Sequence, residues 1–345
     1  MPHSVKSFPQ FRLEDGTTLT DLQVAYKTWG NLNASADNVV VVCHALTGDC
    51  NADEWWSHLV GPGKSLDTDK YFIICANAIA SPYGTVSPLS MNPDTGNIYG
   101  NDFPIPSIRD TVNLHKKLLD ELGVKSVAFC IGGSMGGMQA LEWSFFDDYI
   151  KGLIVIGTGG RHSAWCIAWS EAQRQAIYND SNWKNGNYSL EEGPKSGLAI
   201  ARMIAMISYR SFDSFSKRFG RDTIEKNGAH PFSVETYLHH HGDKLVDRFD
   251  ANCYVKLTQS MDKHDVSRDR GEYFEVLSKI RQPALIVGID TDILYPLSEQ
   301  KELAKYIPNA SLERLSYSHG HDSFLIELEK VNDRIATWIE KNIAL

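Results

Sequence analysis

Residues 127–143, VAFCIGGSMGGMQALEW, run from an apolar β-branched segment through four glycines into a helical pattern, with Ser134 at the crossing. A strand that turns abruptly into a helix needs small residues on both sides of the bend. The G-x-S-x-G spacing of Gly132, Ser134 and Gly136 supplies them. Such a turn holds the serine in a strained conformation and projects its hydroxyl above the sheet. A packing turn with an incidental serine gives the same short pattern, so the rest of the chain must decide whether Ser134 is a nucleophile.

Working outward, LQVAYKTWG, NVVVVCHAL, YFIICANAI, KGLIVIGTG, PALIVGID and ASLERLSY read as further strands. Several are continuously apolar, as strands covered on both faces are, which predicts a mostly parallel sheet with helices on both sides. Between strands, SIRDTVNLHKKLLDELG opens on a capping serine, Ser107, and stops at Gly123. PLSEQKELAKYIP and VNDRIATWIEKNI are two more helices. The alternation breaks over residues 163–268, which carry helical periodicity and few strand-like runs, and resumes at Pro283. Neither flank alone would hold a complete sheet. The expected organisation is therefore an α/β core domain from residues 1–162 and 269–345, with 163–268 inserted as a helical lid.

A chain of 345 residues that is 42% hydrophobic can fill a large core. Its 34 Lys and Arg against 43 Asp and Glu leave a net charge of −9, which argues against a nucleic-acid partner and suits small-molecule chemistry. No basic-then-apolar leader opens the sequence and no apolar run approaches a membrane span, so a cytoplasmic protein without a membrane partner is expected. The six cysteines are scattered and show no CxxC, which reads as reduced core residues.

An unassisted serine is a poor nucleophile; it requires a histidine base and a carboxylate to orient that base. On a sheet entered this way the partners follow in the order Ser, Asp or Glu, His, each after a later strand. IDTDILYP, after PALIVG, offers Asp290 and Asp292, and SHGHDSFL, after SLERLSY, offers His319 and His321. Order alone does not separate the neighbours. An oxyanion would take its hydrogen bonds from the backbone N–H of Met135 and from the HALTG loop, where Leu46 is the candidate. The run His239–His241 is no metal tract, because successive helical residues point about 100° apart. No metal site is expected. GPGKS, residues 61–65, lacks the spacing of a phosphate loop and reads as a turn.

With these residues in place, VVCHALTGD, GGSMGGMQALEW, RHSAWCIAWSEAQRQAI, ARMIAMISYRS, RFDANCYVKLTQSMDKHDVSRDRG and GHDSFL together resemble the homoserine O-acetyltransferase family, which has the α/β-hydrolase fold. The resemblance runs from about Phe8 to the carboxyl end. It implies transfer of acetyl from acetyl-CoA, a co-substrate and not a bound cofactor, to the hydroxyl of L-homoserine through an acyl-Ser134, in methionine synthesis. It implies His321 as base, from GHD, and Asp292 as its carboxylate, from DILYP. By the same resemblance Arg202 binds the acceptor's carboxylate and Asp322 its ammonium. Tyr209 lies on the face of Arg202, seven residues or about two turns on. The family also pairs two subunits through the lid. Two stretches depart from the family's pattern: LHHHGDKL, and GTGGRHS, where relatives have a serine-alanine step before RHS.

The same three residues serve esterases, so they do not choose the reaction. Transfer requires an acyl-serine shielded from water, which a helical lid could provide. Succinyl-CoA as donor, L-serine as acceptor, and plain carboxylester hydrolysis are the rival readings. Homoserine and serine differ by one methylene, worth only about 1–3 kcal/mol in a pocket. No motif marks the nucleotide end of CoA.

Overall fold

The computed structural model describes residues 3–343. Eight strands form one sheet: β1 (Ser4–Arg12), β2 (Thr18–Trp29), β3 (Val39–Cys43), β4 (Phe72–Ala76), β5 (Val127–Gly133), β6 (Leu153–Ile156), β7 (Ala284–Ile289) and β8 (Ala310–Leu315). Their spatial order is β1-β2-β4-β3-β5-β6-β7-β8. From β4 to β8 all neighbours are parallel, while β1 with β2 and β2 with β4 are antiparallel. β1 is a strand that the sequence pattern does not disclose.

The chain adds β4 on one side of β3 and β5 on the other. The crevice where such a sheet reverses direction, at the carboxyl ends of β3 and β5, is where ligands bind in open α/β sheets. Ser134 follows β5 and the HALTG loop follows β3, so both candidate elements open onto that crevice.

The central strands are buried on both faces, which explains their continuous apolar runs. Val39, Val41, Leu153, Val155 and Ile286 face one layer, packed with α2 (Ile108–Glu121) and α3 (Met135–Trp143). Val40, Val42, Ile154, Ile156 and Val287 face the other, with Trp56 after the short α1 (Ala52–Trp55) and Ile335 and Trp338 of α12 (Leu328–Asn342). Each such side chain contributes about 1.5–3 kcal/mol on burial. α2 begins where expected, because Ser107 accepts from the Asp110 N–H and Asp110 accepts from the Ser107 N–H.

Between β6 and β7 the chain leaves the sheet. It forms α4 (Ala164–Tyr178), α5 (Lys195–Ser208), α6 (Phe212–Phe219), α7 (Ser233–Val246) and α8 (Ala251–Asp262). α5 packs between α4 and α7, and α8 returns against α4. The exit and entry of this excursion run side by side: His162 N–H donates to the His264 carbonyl at 2.8 Å and Val266 N–H to the Gly160 carbonyl at 2.9 Å. α9 (Tyr273–Leu277) leads into β7, α10 (Leu297–Tyr306) joins β7 to β8, and α11 (Ser323–Ile326) precedes α12.

All six cysteines are buried and free. Among the described residues no helix is long and apolar enough to cross a membrane.

Candidate active site

Ser134 stands between β5 and α3 with φ 57° and ψ −124°, a conformation costing about 1–3 kcal/mol in a non-glycine residue. Its N–H donates to the Ile156 carbonyl at 2.9 Å, and its own carbonyl accepts from Gly137 and Met138, so the bend is held from both sides. The flanking glycines are required by space. A Cβ on Gly132 would lie 2.2 Å from the Gly136 oxygen, and one on Gly136 2.1 Å from the Cys43 oxygen.

The structure separates the neighbouring candidates. Asp292 Oδ2 is 2.6 Å from His321 Nδ1, and both side chains are buried. The other oxygen of Asp292 accepts from the Leu294 and Tyr295 N–H groups at 2.8 and 2.9 Å, which fixes the carboxylate. Asp290 is instead held by Arg314 at 3.0 Å and Ser316 at 2.6 Å, and His319 pairs with Glu327 at 3.2 Å. Neither meets the other.

The His321 ring is packed among Tyr209, Tyr295 and Phe324, with centroids 5.8, 5.3 and 5.6 Å away. Phe324 also lies against Gly133, where a Cβ would meet its ring at 2.5 Å, so the histidine's loop closes over the serine turn. Gly157, one of the glycines in GTGGRHS, lets β6 approach this pair: a Cβ there would be 3.4 Å from His321 and 3.6 Å from Asp292. His321 Nε2 is buried and without a hydrogen-bond partner among the described residues. Burial opposes charging the ring, but Asp292 outweighs it, and the pKa is raised above the ordinary histidine value.

The Met135 and Leu46 N–H groups also find no acceptor among the described residues. Both are therefore available to a developing oxyanion. The Leu46 loop is shaped by a residue the sequence reading passed over. His44 Nδ1 lies 2.9 Å from the Ala45 carbonyl, and its Nε2 accepts from the Ala78 N–H at 3.0 Å. Burial holds the His44 pKa below its ordinary value, consistent with a neutral ring in that tautomer.

A cavity of about 450 Å³ reaches this turn. Gly133, Cys43, Ala45, Phe324 and Arg202 are among its lining residues. Arg202 has its guanidinium 5.5 Å from the Tyr209 ring, so the two do share a face. Asp322 is paired with Arg210, at 3.4 Å, and its N–H donates to the Tyr209 carbonyl. Burial raises the Asp322 pKa, opposed by Arg210, His321 and Arg202. Lys244, in the last turn of α7, and Arg248, just past its end, also line the cavity and were not singled out from the sequence; a lysine and an arginine in a polar stretch carry no distinguishing pattern.

His241 stacks edge-on against Tyr237 at 4.4 Å, with His240 beside it. Among the described residues no three His, Cys, Asp or Glu side chains are grouped to hold a metal.

A strained serine after a parallel strand, followed in chain order by a buried aspartate–histidine pair, defines an α/β-hydrolase-type site. The alpha/beta hydrolase fold model matches residues 38–328. The chain is 57% identical over 335 residues to a homoserine O-acetyltransferase of Salinibacter ruber, covering 96% of this chain and 95% of that one. The solved esterase E22 superposes with a TM-score of 0.90 at 27% identity, over 98% of this chain and 99% of its own. Homoserine O-acetyltransferase from Bacillus anthracis shares the fold with a TM-score of 0.92, at 23% identity over 99% and 98% of the two chains. The chain belongs to the homoserine O-acetyltransferase family of the alpha/beta hydrolase fold.

Proposed function

We propose that this protein transfers acetyl from acetyl-CoA to the side-chain hydroxyl of L-homoserine, a step of methionine synthesis, by way of an acetyl-Ser134 intermediate. One observation carries the reading beyond the fold. The cavity that reaches the serine turn presents Arg202 with no carboxylate within ion-pair distance among the described residues, a fixed cation suited to an amino-acid carboxylate. The 57% identical relative from Salinibacter ruber supports the same acceptor.

His321 Nε2 takes the Ser134 proton as Oγ attacks the thioester carbonyl, and the N–H groups of Met135 and Leu46 bear the oxyanion. The C–S bond breaks and the thiolate leaves with the proton from His321. Homoserine's hydroxyl then loses its proton to His321 and attacks the acyl carbon, and Ser134 departs with that proton restored. Asp292 keeps Nδ1 protonated throughout, so Nε2 is the nitrogen that takes up and returns each proton. Asp322, with Tyr209, would receive the acceptor's ammonium. Because Arg210 already sits on this carboxylate, the ammonium joins an existing pair.

We further read the helices of residues 163–268 as a lid that keeps water from the acyl-serine, and as the face joining two subunits. Ile200, Ile207 and Phe212 stand exposed on α5 and α6, Phe212 by 83%. A cytoplasmic setting accords with six free thiols.

The second reading, an esterase, is favoured by the likeness to esterase E22. Thiol-reagent detection of CoA release from acetyl-CoA and succinyl-CoA, with L-homoserine, L-serine or no acceptor, separates them. Release dependent on homoserine and on the acetyl donor is expected. Release indifferent to the acceptor would mean hydrolysis, and preference for serine or for succinyl would change the named substrate.

A further inference from the structure

The cavity that reaches Gly133 is lined by both apolar and charged side chains. Trp56 and Phe324, both buried, and Trp55 and Leu325, half-buried, give it an apolar lining. Exposed on the same lining are Lys244, in the last turn of α7, and Arg248, just past the end of that helix. Arg248 donates to the Thr47 carbonyl at 2.8 Å and to the Tyr83 hydroxyl, both neutral acceptors, so its charge is not cancelled. Lys244 is exposed and makes no ion pair among the described residues.

The lining also carries two carboxylates. Asp49 accepts from the Asn51 N–H at 2.9 Å, and Glu54 is exposed on α1. With Arg202 the lining therefore holds three cations against two anions, in a chain whose net charge is −9. A chain of that charge repels polyanions at long range, so a polyanionic substrate needs local cations to settle. The carbonyl end of α7 supplies no attraction to an anion, which leaves the side chains to provide it.

We propose that Lys244, seconded by Arg248, receives the phosphate groups at the nucleotide end of the acyl donor while the apolar wall takes the arm leading to the thioester. This rests on the acyl-CoA reading above and assigns the end of the donor that no sequence motif marks. Arg248 doubles as a clasp on the loop carrying Leu46, so Lys244 is the residue whose replacement isolates phosphate binding.

The test compares wild type, Lys244→Gln and Lys244→Glu at saturating L-homoserine with two donors: acetyl-CoA, and S-acetylpantetheine, which carries the same thioester without diphosphate or nucleotide. For acetyl-CoA, KM should rise several-fold in Lys244→Gln and about tenfold or more in Lys244→Glu, in line with loss of one charge-assisted hydrogen bond. The difference should narrow at high salt. Turnover at saturation, KM for homoserine and KM for S-acetylpantetheine should stay as in wild type. An unchanged KM for acetyl-CoA, or an equal rise for both donors, would overturn the assignment. If wild type used neither donor with homoserine, the reaction reading would fall instead. Calorimetric binding of CoA against pantetheine would then still report whether Lys244 holds phosphate, and no preference of wild type over Lys244→Glu for CoA would refute it.

Discussion

At the residue scale, the proposed reaction depends on one imidazole being neutral when Ser134 must lose its proton. Burial disfavours the charged ring, yet the Asp292 carboxylate at 2.6 Å and the nearby Asp322 outweigh it, so the His321 pKa lies above the ordinary value of about 6.5. A base whose pKa is raised is protonated, and idle, over a wider acidic range. The acid limb of kcat/KM for acetyl-CoA should therefore have its midpoint above about 6.5. Asp292→Asn removes the charge that opposes burial. It should lower turnover by on the order of 10³–10⁴ and move the limb of the residual activity downward. A pH–rate profile of both proteins reads this directly, and a limb that stayed in place would detach Asp292 from His321. The choice between Asp292 and Asp290 shows where residue-level reading stops. Both follow β7 and stand two apart, and what distinguishes them is the turn that aims the Leu294 and Tyr295 N–H groups at one carboxylate. That turn exists only in the folded chain.

At the scale of elements, the central strands and the serine turn were legible because their physics is local. Apolar runs covered on both faces, a capped α2 and small residues around Ser134 each leave a pattern within a dozen residues. β1 left none. It is an edge strand in which Phe8 alone is buried, and Pro9 interrupts its alternation. Lys244 and Arg248 were equally silent, since a cation facing a ligand and one facing solvent have the same sequence context. The turn itself makes a sharp prediction. In Gly136→Ala the new methyl would sit 2.1 Å from the Cys43 carbonyl oxygen, a backbone atom that cannot swing away, so β3 and α3 must separate. A loss of about 3 kcal/mol or more is expected on urea denaturation, together with loss of the acyl-enzyme, because the same shift moves Ser134 and the Leu46 loop apart. Gly123→Ala, where a Cβ would meet nothing within 4 Å and the strain is that of positive φ alone, should cost less and leave activity intact.

At the scale of the whole molecule, five helices leave the sheet after β6 and must come back to a defined place for Arg202 to line the cavity that reaches Gly133. The return is clamped by charge. Glu142, almost fully buried on α3, holds Arg109 of α2 at 3.1 Å and Arg270 of the returning segment at 2.8 Å. Glu14, in the turn between β1 and β2, joins Arg109 at 2.8 Å and Arg268 at 2.7 Å. Four elements distant in sequence thus share one network, and SRDRG supplies its arginines at positions 268 and 270. Removing one member of a buried ion pair strands its partners, which generally costs more than the pair's net contribution. Arg109 keeps Glu14, so Glu142→Ala should fall near the lower end of that range, at about 3 kcal/mol. The local consequence separates this clamp from a general packing effect. Residues 263–272 should exchange amide hydrogen faster in Glu142→Ala, and KM for L-homoserine should rise through loosened placement of α5, while the isolated variant Arg270→Ala should reproduce part of both changes. In the double variant the two costs should sum to less than their separate values, since each already breaks the same contact. Strict additivity would mean that Glu142 and Arg270 stabilise the fold independently, and that the return of the inserted helices is fixed elsewhere.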